Sequence, residues 1–302
     1  MKTKSGYVAI IGKPNVGKST LMNALIGQKL SITTKKPQTT RKNILGILSD
    51  ENYQIIFLDT PGILKPTYLL QEKMLEYVLN SVKDADVLVF MIDISADPNA
   101  AALQDEKVRE IINKVNIPKI MVVNKIDLSN ETALNNIIKS IEKTGLFKKV
   151  IPVSATLGAN VSEVLNAILE YLPEGPKYYP DDQLSDRDER FFVSELIREK
   201  IFEFYRDEVP FSTEVIIEEF KEREKGKDYI LANIIVEKET QKPIIIGKNG
   251  EQIKKLGKVA REAVENFLGR PVFLELRVKV RPKWRSNPNI LKRFGYVTGD
   301  EK

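Results

Sequence analysis

The sequence predicts an α/β chain in two unlike parts: a domain on a mostly parallel sheet with helices on both faces, then a smaller α+β domain. Three observations predict it. Short, almost continuously apolar runs alternate with helical patterns from Tyr7 to Leu172. A proline-bearing, charged stretch without period 2 or 3.6 then interrupts the pattern. Beyond it the order becomes helix, two strands, a glycine loop, helix and strand. At 302 residues the chain has room for about two domains, each with its own core.

The first runs are YVAIIG (7–12), QIIFLD (54–59), DVLVFMID (86–93), KIMVVNK (119–125) and VIPVSA (150–155). Strands apolar on both faces and separated by helices belong to a parallel sheet covered on both sides. NILGIL (43–48), directly upstream of QIIFLD, adds an antiparallel edge strand. The boundaries expected are residues 1–172 for the first domain, 173–190 for a linker and 191–302 for the second domain. In the second part, FFVSELIREKIFEFY (191–205) places Phe192, Leu196, Ile197, Ile201 and Phe204 on one helical face. TEVIIEEF and DYILANIIVEK read as strands. After QKPIIIGKNG comes a helix with Ile253, Leu256, Ala260, Ala263, Val264 and Phe267 on its buried stripe, and VFLELRVKV is the last strand.

Composition excludes several chemistries. The chain has no cysteine and no histidine, so disulfides, thiol nucleophiles, a histidine base and Cys/His zinc sites are ruled out. No run approaches the roughly 20 apolar residues of a membrane helix. The basic start leads straight into a glycine loop, unlike a secretory leader. The net charge of +5 is uneven, because residues 241–302 carry 15 Lys/Arg against 6 Asp/Glu. A basic excess confined to one end suits either a phosphate-backbone partner or a solvated basic tail.

The first glycine loop is Gly12-Lys13-Pro14-Asn15-Val16-Gly17-Lys18-Ser19, followed by Thr20. It matches G-x-x-x-x-G-K-[ST] between a strand and a helix, the context the motif requires. Backbone N–H groups there converge on a β-phosphate, and the helix N-terminus adds positive potential. Lys18 would reach the β- and γ-phosphates and the Ser19 hydroxyl would ligate Mg²⁺. FLDTPG places Asp59 at a strand end, where an aspartate supports the Mg²⁺ shell, with Thr60, Pro61, Gly62 and Ile63 following. The Gly62 amide is expected at a γ-phosphate. VVNKID places Asn124, Lys125 and Asp127 at another strand end. A carboxylate at Asp127 can accept from the N1–H and 2-amino group of guanine, donors that adenine lacks there. Asn124 would bond the other edge of the base, and the Lys125 stem would cover it. Ser154 and Ala155 in PVSATLG would complete the pocket with a backbone N–H to guanine O6. Motifs in this order, each at a strand's C-terminal end, form a strong set.

The second loop, Gly247-Lys248-Asn249-Gly250, is a G-x-x-G directly before a basic amphipathic helix. That is the signature of a type II KH domain, whose loop clamps about four single-stranded nucleotides. It cannot be a second P-loop, because it lacks the length and no hydroxyl follows for a metal. Lys254, Lys255, Lys258 and Arg261 lie off the apolar stripe and are candidate phosphate contacts. So are Arg281, Lys283 and Arg285 around Trp284, which either stacks a base or packs against the domain.

Residues 5–172 resemble the translation-factor class of GTPases, and nearly the whole chain, including RPKWRSNPNILKRFGY, resembles the Era family of bacterial ribosome-assembly GTPases. The resemblance implies a P-loop GTPase domain followed by a KH domain, with GTP/GDP and Mg²⁺ as ligands. It implies a switch loop at KKPQTTRKN (35–43), in which Thr40, or else Thr39, closes on Mg²⁺. Lys18, Thr40 and Gly62 are the expected catalytic groups; Ser19, Thr40 and Asp59 are the expected metal set. Where Ras-like GTPases carry a water-orienting glutamine, this chain has Ile63, as the family does, so slow intrinsic hydrolysis is expected. Asn15 stands where some relatives ligate K⁺, the alternative being loop geometry. The implied partners are 16S rRNA near its 3′ end and the 30S subunit. The resemblance also implies a cytoplasmic monomer with peripheral association at the inner membrane. Two other readings differ in class: an RNA adaptor with a structural nucleotide site, and a GTPase driving RNA modification.

Overall fold

The structure is a computed structural model and describes residues 3–297. The expected outer ends of the two domains, residues 1–2 and 298–302, lie outside the described residues. The chain divides into two compact units, one running to Asp186 and the second from Arg187, which also takes in the short segment Thr67–Leu70.

The first unit holds a six-stranded sheet in the order β2-β3-β1-β4-β5-β6. The strands are β1 (Lys4–Gly12), β2 (Ile44–Ser49), β3 (Tyr53–Asp59), β4 (Val87–Asp93), β5 (Lys119–Asn124) and β6 (Lys149–Val153). Only β2 is antiparallel, paired through Ile44↔Asp59 to Ser49↔Gln54. The central strands are apolar on both faces because helices cover both sides: Val8 to Ile11 and Val87 to Met91 are wholly buried. The helices are α1 (Lys18–Ile26), α2 (Leu69–Asp84), α3 (Glu106–Asn113), α4 (Glu131–Glu142) and α5 (Val161–Tyr171). Their starts follow capping chemistry. The Asp105 carboxylate accepts from Lys107 N and Val108 N at the head of α3, and Asn130 Oδ1 accepts from Ala133 N at α4. β1 lies between β3 and β4, so the strand order reverses at its C-terminal end, the crevice where open α/β sheets bind ligands.

The stretch 173–186, expected as linker, lies along the edge of this sheet. Ile47 N of β2 donates to Leu184 O at 2.8 Å, and Ser185 Oγ donates to Leu45 O at 2.6 Å. Gln54, fully buried, fastens the same segment: its Oε1 accepts from Tyr178 N and Tyr179 N, and its Nε2 donates to Tyr179 O. Few apolar residues mark this stretch because backbone and amide hydrogen bonds hold it.

The second unit has the sheet β7-β8-β9, made of β7 (Glu214–Lys221), β8 (Asp228–Val236) and β9 (Val272–Val280), with β7 antiparallel and β9 parallel to β8. Its helices are α6 (Glu189–Phe204), α7 (Gln241–Ile246), α8 (Glu251–Leu268) and α9 (Pro288–Arg293). Val193, Ile197 and Ile201 of α6 and Leu256, Ala260 and Val264 of α8 meet Ile230, Ala232 and Ile234 of β8 in one core.

Three details differ from expectation. Phe204 is exposed whereas Phe202 is buried, because α6 is covered on more than one side. Phe267 is partly exposed, its ring 5.3 Å from that of Phe192. The run QKPIII, to which the sequence pattern assigns no element, forms the helix α7. Pro243 is tolerated in the first turn, where N–H groups have no helical partner. The Gln241 side chain accepts from Glu237 N and Lys238 N and donates to Ser212 Oγ, pinning the turn. Among the described residues no helix is long and apolar enough to cross a membrane.

Candidate functional site

The P-loop turns from β1 into α1 around a cavity of about 690 Å³. Gly17 has φ 103°, and a Cβ there would stand 2.3 Å from Asn124 Nδ2, so only glycine fits. Lys18 is buried, with Nζ donating to Gly12 O at 3.3 Å and Lys13 O at 3.1 Å. The ammonium is thus folded back along the loop that would surround a phosphate. Burial pushes Lys18 down to about 8, against the opposing pull of the Asp59 carboxylate. Asp59 is also fully buried, and burial raises its pKa while the Ser19 hydroxyl and Lys18 oppose the rise.

The three expected metal residues come together. Ser19 Oγ donates to Asp59 Oδ2 at 2.6 Å and lies 2.9 Å from Thr40 Oγ1. Asp59 Oδ1 is buried and makes no hydrogen bond among the described residues. Hard oxygens converging beside an unsatisfied carboxylate oxygen fit Mg²⁺ with water in its shell. Thr39 is occupied elsewhere: its hydroxyl donates to Lys36 O at 2.7 Å and meets Thr34 Oγ1 at 2.6 Å. Between the two threonines, Thr40 is the one that reaches the Ser19 hydroxyl.

The loop after Asp59 is held by its backbone. Thr60 Oγ1 donates to Ile10 O at 2.8 Å, and Ile63 N donates to Gly12 O at 3.0 Å. Gly62 lines the cavity and packs on Pro14. Ile63 was expected among the nucleotide-contacting residues, but its side chain belongs to the hydrophobic core and leaves the pocket wall. An aliphatic side chain gains more from burial than from a solvated phosphate pocket.

At the base end, Asn124 ties two loops together: Nδ2 donates to Val16 O at 2.8 Å, and Oδ1 accepts from Ala155 N at 3.0 Å. The Asn124 amide has a second N–H left for a base edge. The backbone N–H groups of Ser154 and Ala155 are both donated within the protein, to Ala159 O and Asn124 Oδ1. A contact from either to guanine O6 would therefore share a hydrogen already in use. Ser154 acts through its side chain, Oγ donating to Asp127 Oδ1 at 2.6 Å, which orients that carboxylate. Lys125 Nζ pairs with Asp93 at 2.6 Å. Lys13 faces away, its Nζ 3.2 Å from Asp105, and Asn15 Nδ2 donates to Lys35 O at 2.9 Å.

Of the residues expected from sequence, Pro14, Asn15, Gly17, Lys18, Ser19, Thr20, Thr40, Gly62, Asn124 and Lys125 line the cavity. Gly12, Lys13, Val16, Asp59, Thr60, Pro61, Asp127, Ser154 and Ala155 are not among its lining residues, and Asp127 is exposed. Sequence reasoning missed Ile32, Thr33 and Thr34, just upstream of the switch loop, and also Asp93, Leu128 and Thr156. Asp93 carried one readable signal, a charged residue closing an otherwise apolar strand.

In the second unit the glycine loop joins α7 to α8. Gly247 has φ 73°, and a Cβ there would lie 2.4 Å from Gln252 Cγ, so this glycine is required by the fold itself. Gly250 has φ 77° with open space on its Cβ side, while Lys248 and Asn249 between them are exposed. Lys254, Lys255 and Lys258 are exposed on α8, and Arg281 and Lys283 are exposed beyond β9. Arg261 is half-buried, its Nε 3.9 Å from Glu265. Trp284 does not stack outward: it is fully buried, Nε1 donates to Ser212 O at 2.9 Å, and its ring packs near Phe294. Arg285 pairs with Glu237. An indole finds both apolar contact and an acceptor inside, which leaves no ring for a base.

Comparison with known proteins agrees with this geometry. Residues 7–125 match the family model described as 50S ribosome-binding GTPase, and residues 208–285 match the KH domain model. The chain is 46% identical to GTPase Era of Alkaliphilus oremlandii over 298 residues, covering 98% of this chain and 100% of the relative. It is 45% identical to GTPase Era of Lactobacillus helveticus over 293 residues, covering 97% and 96% of the two chains. The solved structure of Era in complex with MgGDPNP and nucleotides 1506–1542 of 16S ribosomal RNA superposes with a TM-score of 0.94 at 44% identity, covering 98% of this chain and 100% of that one. A substituted Aquifex aeolicus Era bound to GDP·AlF4⁻ gives a TM-score of 0.93 at 43% identity, with the same coverage.

Proposed function

The chain belongs to the Era family of GTPases, and from that premise we propose that it is a GTP-hydrolysing, RNA-binding switch that engages 16S rRNA near its 3′ end and acts in 30S subunit assembly. The observation that carries this reading is the full-length match to a relative solved with both MgGDPNP and a 16S rRNA fragment.

Lys18, the P-loop amides and the α1 N-terminus bind the phosphates. Ser19, Thr40 and Asp59 would hold Mg²⁺, which when bound neutralises charge on the β- and γ-phosphates. The bond between Ser19 and Thr40 links the switch loop directly to the P-loop, so the switch loop reads what occupies the pocket. Asp127, oriented by Ser154, selects guanine. With Ile63 in the core, no side chain at that position orients the attacking water, so intrinsic turnover is slow and a partner or a second cation sets the rate. K⁺ is the cation proposed, with Asn15 Oδ1 as its ligand; Asn15 bonds Lys35 O through Nδ2, a contact that does not use this oxygen. Equal rates in K⁺ and Na⁺ would discard that part.

Lys248 and Asn249 present the RNA-contacting edge of the KH loop, with Lys254, Lys255 and Lys258 behind it. The chain acts as a monomer in the cytoplasm, and the basic surface of its C-terminal part is the proposed contact for peripheral association with the inner membrane.

The experiment is GTP turnover with and without an RNA spanning the 3′ end of 16S rRNA, alongside crosslinking to 30S particles. RNA-stimulated hydrolysis and crosslinks near the 3′ end are expected. RNA binding without any hydrolysis would favour the adaptor reading, and absent crosslinks would refute the rRNA assignment.

A further inference from the structure

Asp93 lines the pocket and has no part in the chemistry described so far. It closes β4 in register with Asn124 of β5, and its side chain is 7% exposed. Oδ2 accepts from Lys125 Nζ at 2.6 Å, while Oδ1 accepts from Ser95 N at 2.9 Å and Ser95 Oγ at 2.6 Å. Both oxygens are therefore engaged, and one of them holds the lysine of the base-recognition segment. That lysine is held unusually. Lys125 has φ 63° and ψ 39°, a left-handed conformation that a residue with a Cβ avoids. Its backbone is held there by Leu128 N donating to Lys125 O at 2.9 Å. Four rotatable bonds separate that backbone from the ammonium, so the path of the stem is fixed only if its far end is anchored. Asp93 is that anchor.

We propose that Asp93 is a positioning residue for nucleotide retention: it anchors the Lys125 ammonium so that the aliphatic stem is held as a platform for the face of the base, setting how fast GDP and GTP alike leave. The proposal rests on the reading of this pocket as a guanine-nucleotide site. An aliphatic platform covers the face of any purine, whereas discrimination comes from the edge read by Asp127. Asp93 therefore governs retention and leaves base choice alone. Ser95, exposed at the surface, shares in fixing the carboxylate.

The test is stopped-flow release of ribose-labelled fluorescent GDP and GTP from the full chain. Asp93→Asn is expected to release both nucleotides about tenfold to a hundredfold faster, the range for losing a charged hydrogen bond. Ser95→Ala, a surface change with little bearing on folding, is expected to give a smaller acceleration in the same direction. Adding Asp93→Asn to Lys125→Ala should change nothing further, because the anchor then has nothing to hold. The preference for GTP over xanthosine triphosphate should match the parent's. Release at the parent rate in both single variants, additivity in the double variant, or an altered base preference overturns the proposal. A parent chain that retains no GDP would overturn the pocket reading as well.

Discussion

Nucleotide binding should be coupled to uptake of a proton, and the coupling follows from one buried lysine. In the free protein Lys18 titrates at about 8 because burial removes its hydration. Between about 8 and the ordinary lysine value of 10.5 the unfolded chain holds this proton and the folded one does not. The folded free protein therefore gains stability as pH rises through that window. A diphosphate reverses the balance by placing negative charge against the ammonium, returning its pKa to the ordinary range or above. At pH 8 about half a proton should then be taken up per GDP bound, against about a tenth at pH 7. Affinity for GDP should accordingly fall by about fourfold between pH 7 and pH 8.5. Calorimetric titrations at pH 8, in two buffers of different ionisation enthalpy, measure the uptake directly. Working in EDTA keeps metal binding from titrating Asp59, whose pKa burial raises. Apparent enthalpies that coincide in the two buffers would refute the argument.

Other outcomes follow from particular contacts. Thr40→Ala should lower Mg²⁺-dependent turnover by at least about tenfold, while Thr39→Ala, which loses the bonds to Lys36 O and Thr34 Oγ1, should lower it less; steady-state hydrolysis ranks them, and the reverse order would return the metal role to Thr39. Asp127→Asn should exchange preference from GTP to xanthosine triphosphate, and a competition assay showing unchanged GTP affinity would remove Asp127 from base selection. Lys248→Asp with Asn249→Asp keeps both glycines and should weaken binding to a 16S 3′-end RNA by more than about tenfold with GDP affinity intact; retained RNA affinity would move the clamp elsewhere. Trp284→Phe strands Ser212 O and should cost about 1–3 kcal/mol in stability, read as a lower Tm, with RNA affinity below the transition unchanged.

The strands of the first unit were legible because burial on both faces leaves continuous apolar runs. The motif residues were legible because their spacing matches loops built to surround phosphates and read a base. What escaped the sequence has common causes. Asn124 fits a base edge by type, but its bonds to Val16 and Ala155 arise from loops far apart in the chain, and no periodicity reports them. Trp284 among Arg281, Lys283 and Arg285 has the composition of a stacking platform; only the position of Ser212 O decides that the indole turns inward. Helix α7 was hidden because six residues are too few for a 3.6-residue period, and a glutamine side chain bonding upstream amides fixes the turn. Gly247 belongs to the loop expected to clamp RNA, but Gln252 already demands a glycine there for the fold itself.

The strip of chain from Tyr178 to Ser185 has a bearing on what β2 can pair with. β2 is an outermost strand, and an uncovered strand of that kind invites pairing with another molecule. Leu184 and Ser185 occupy the groups of Ile47 and Leu45 that such a neighbour would use, and Gln54 fastens the same strip upstream at Tyr178 and Tyr179. A fragment cut after Leu172 would bare that edge, whereas one carried through Asp186 would keep its own seal against sticking.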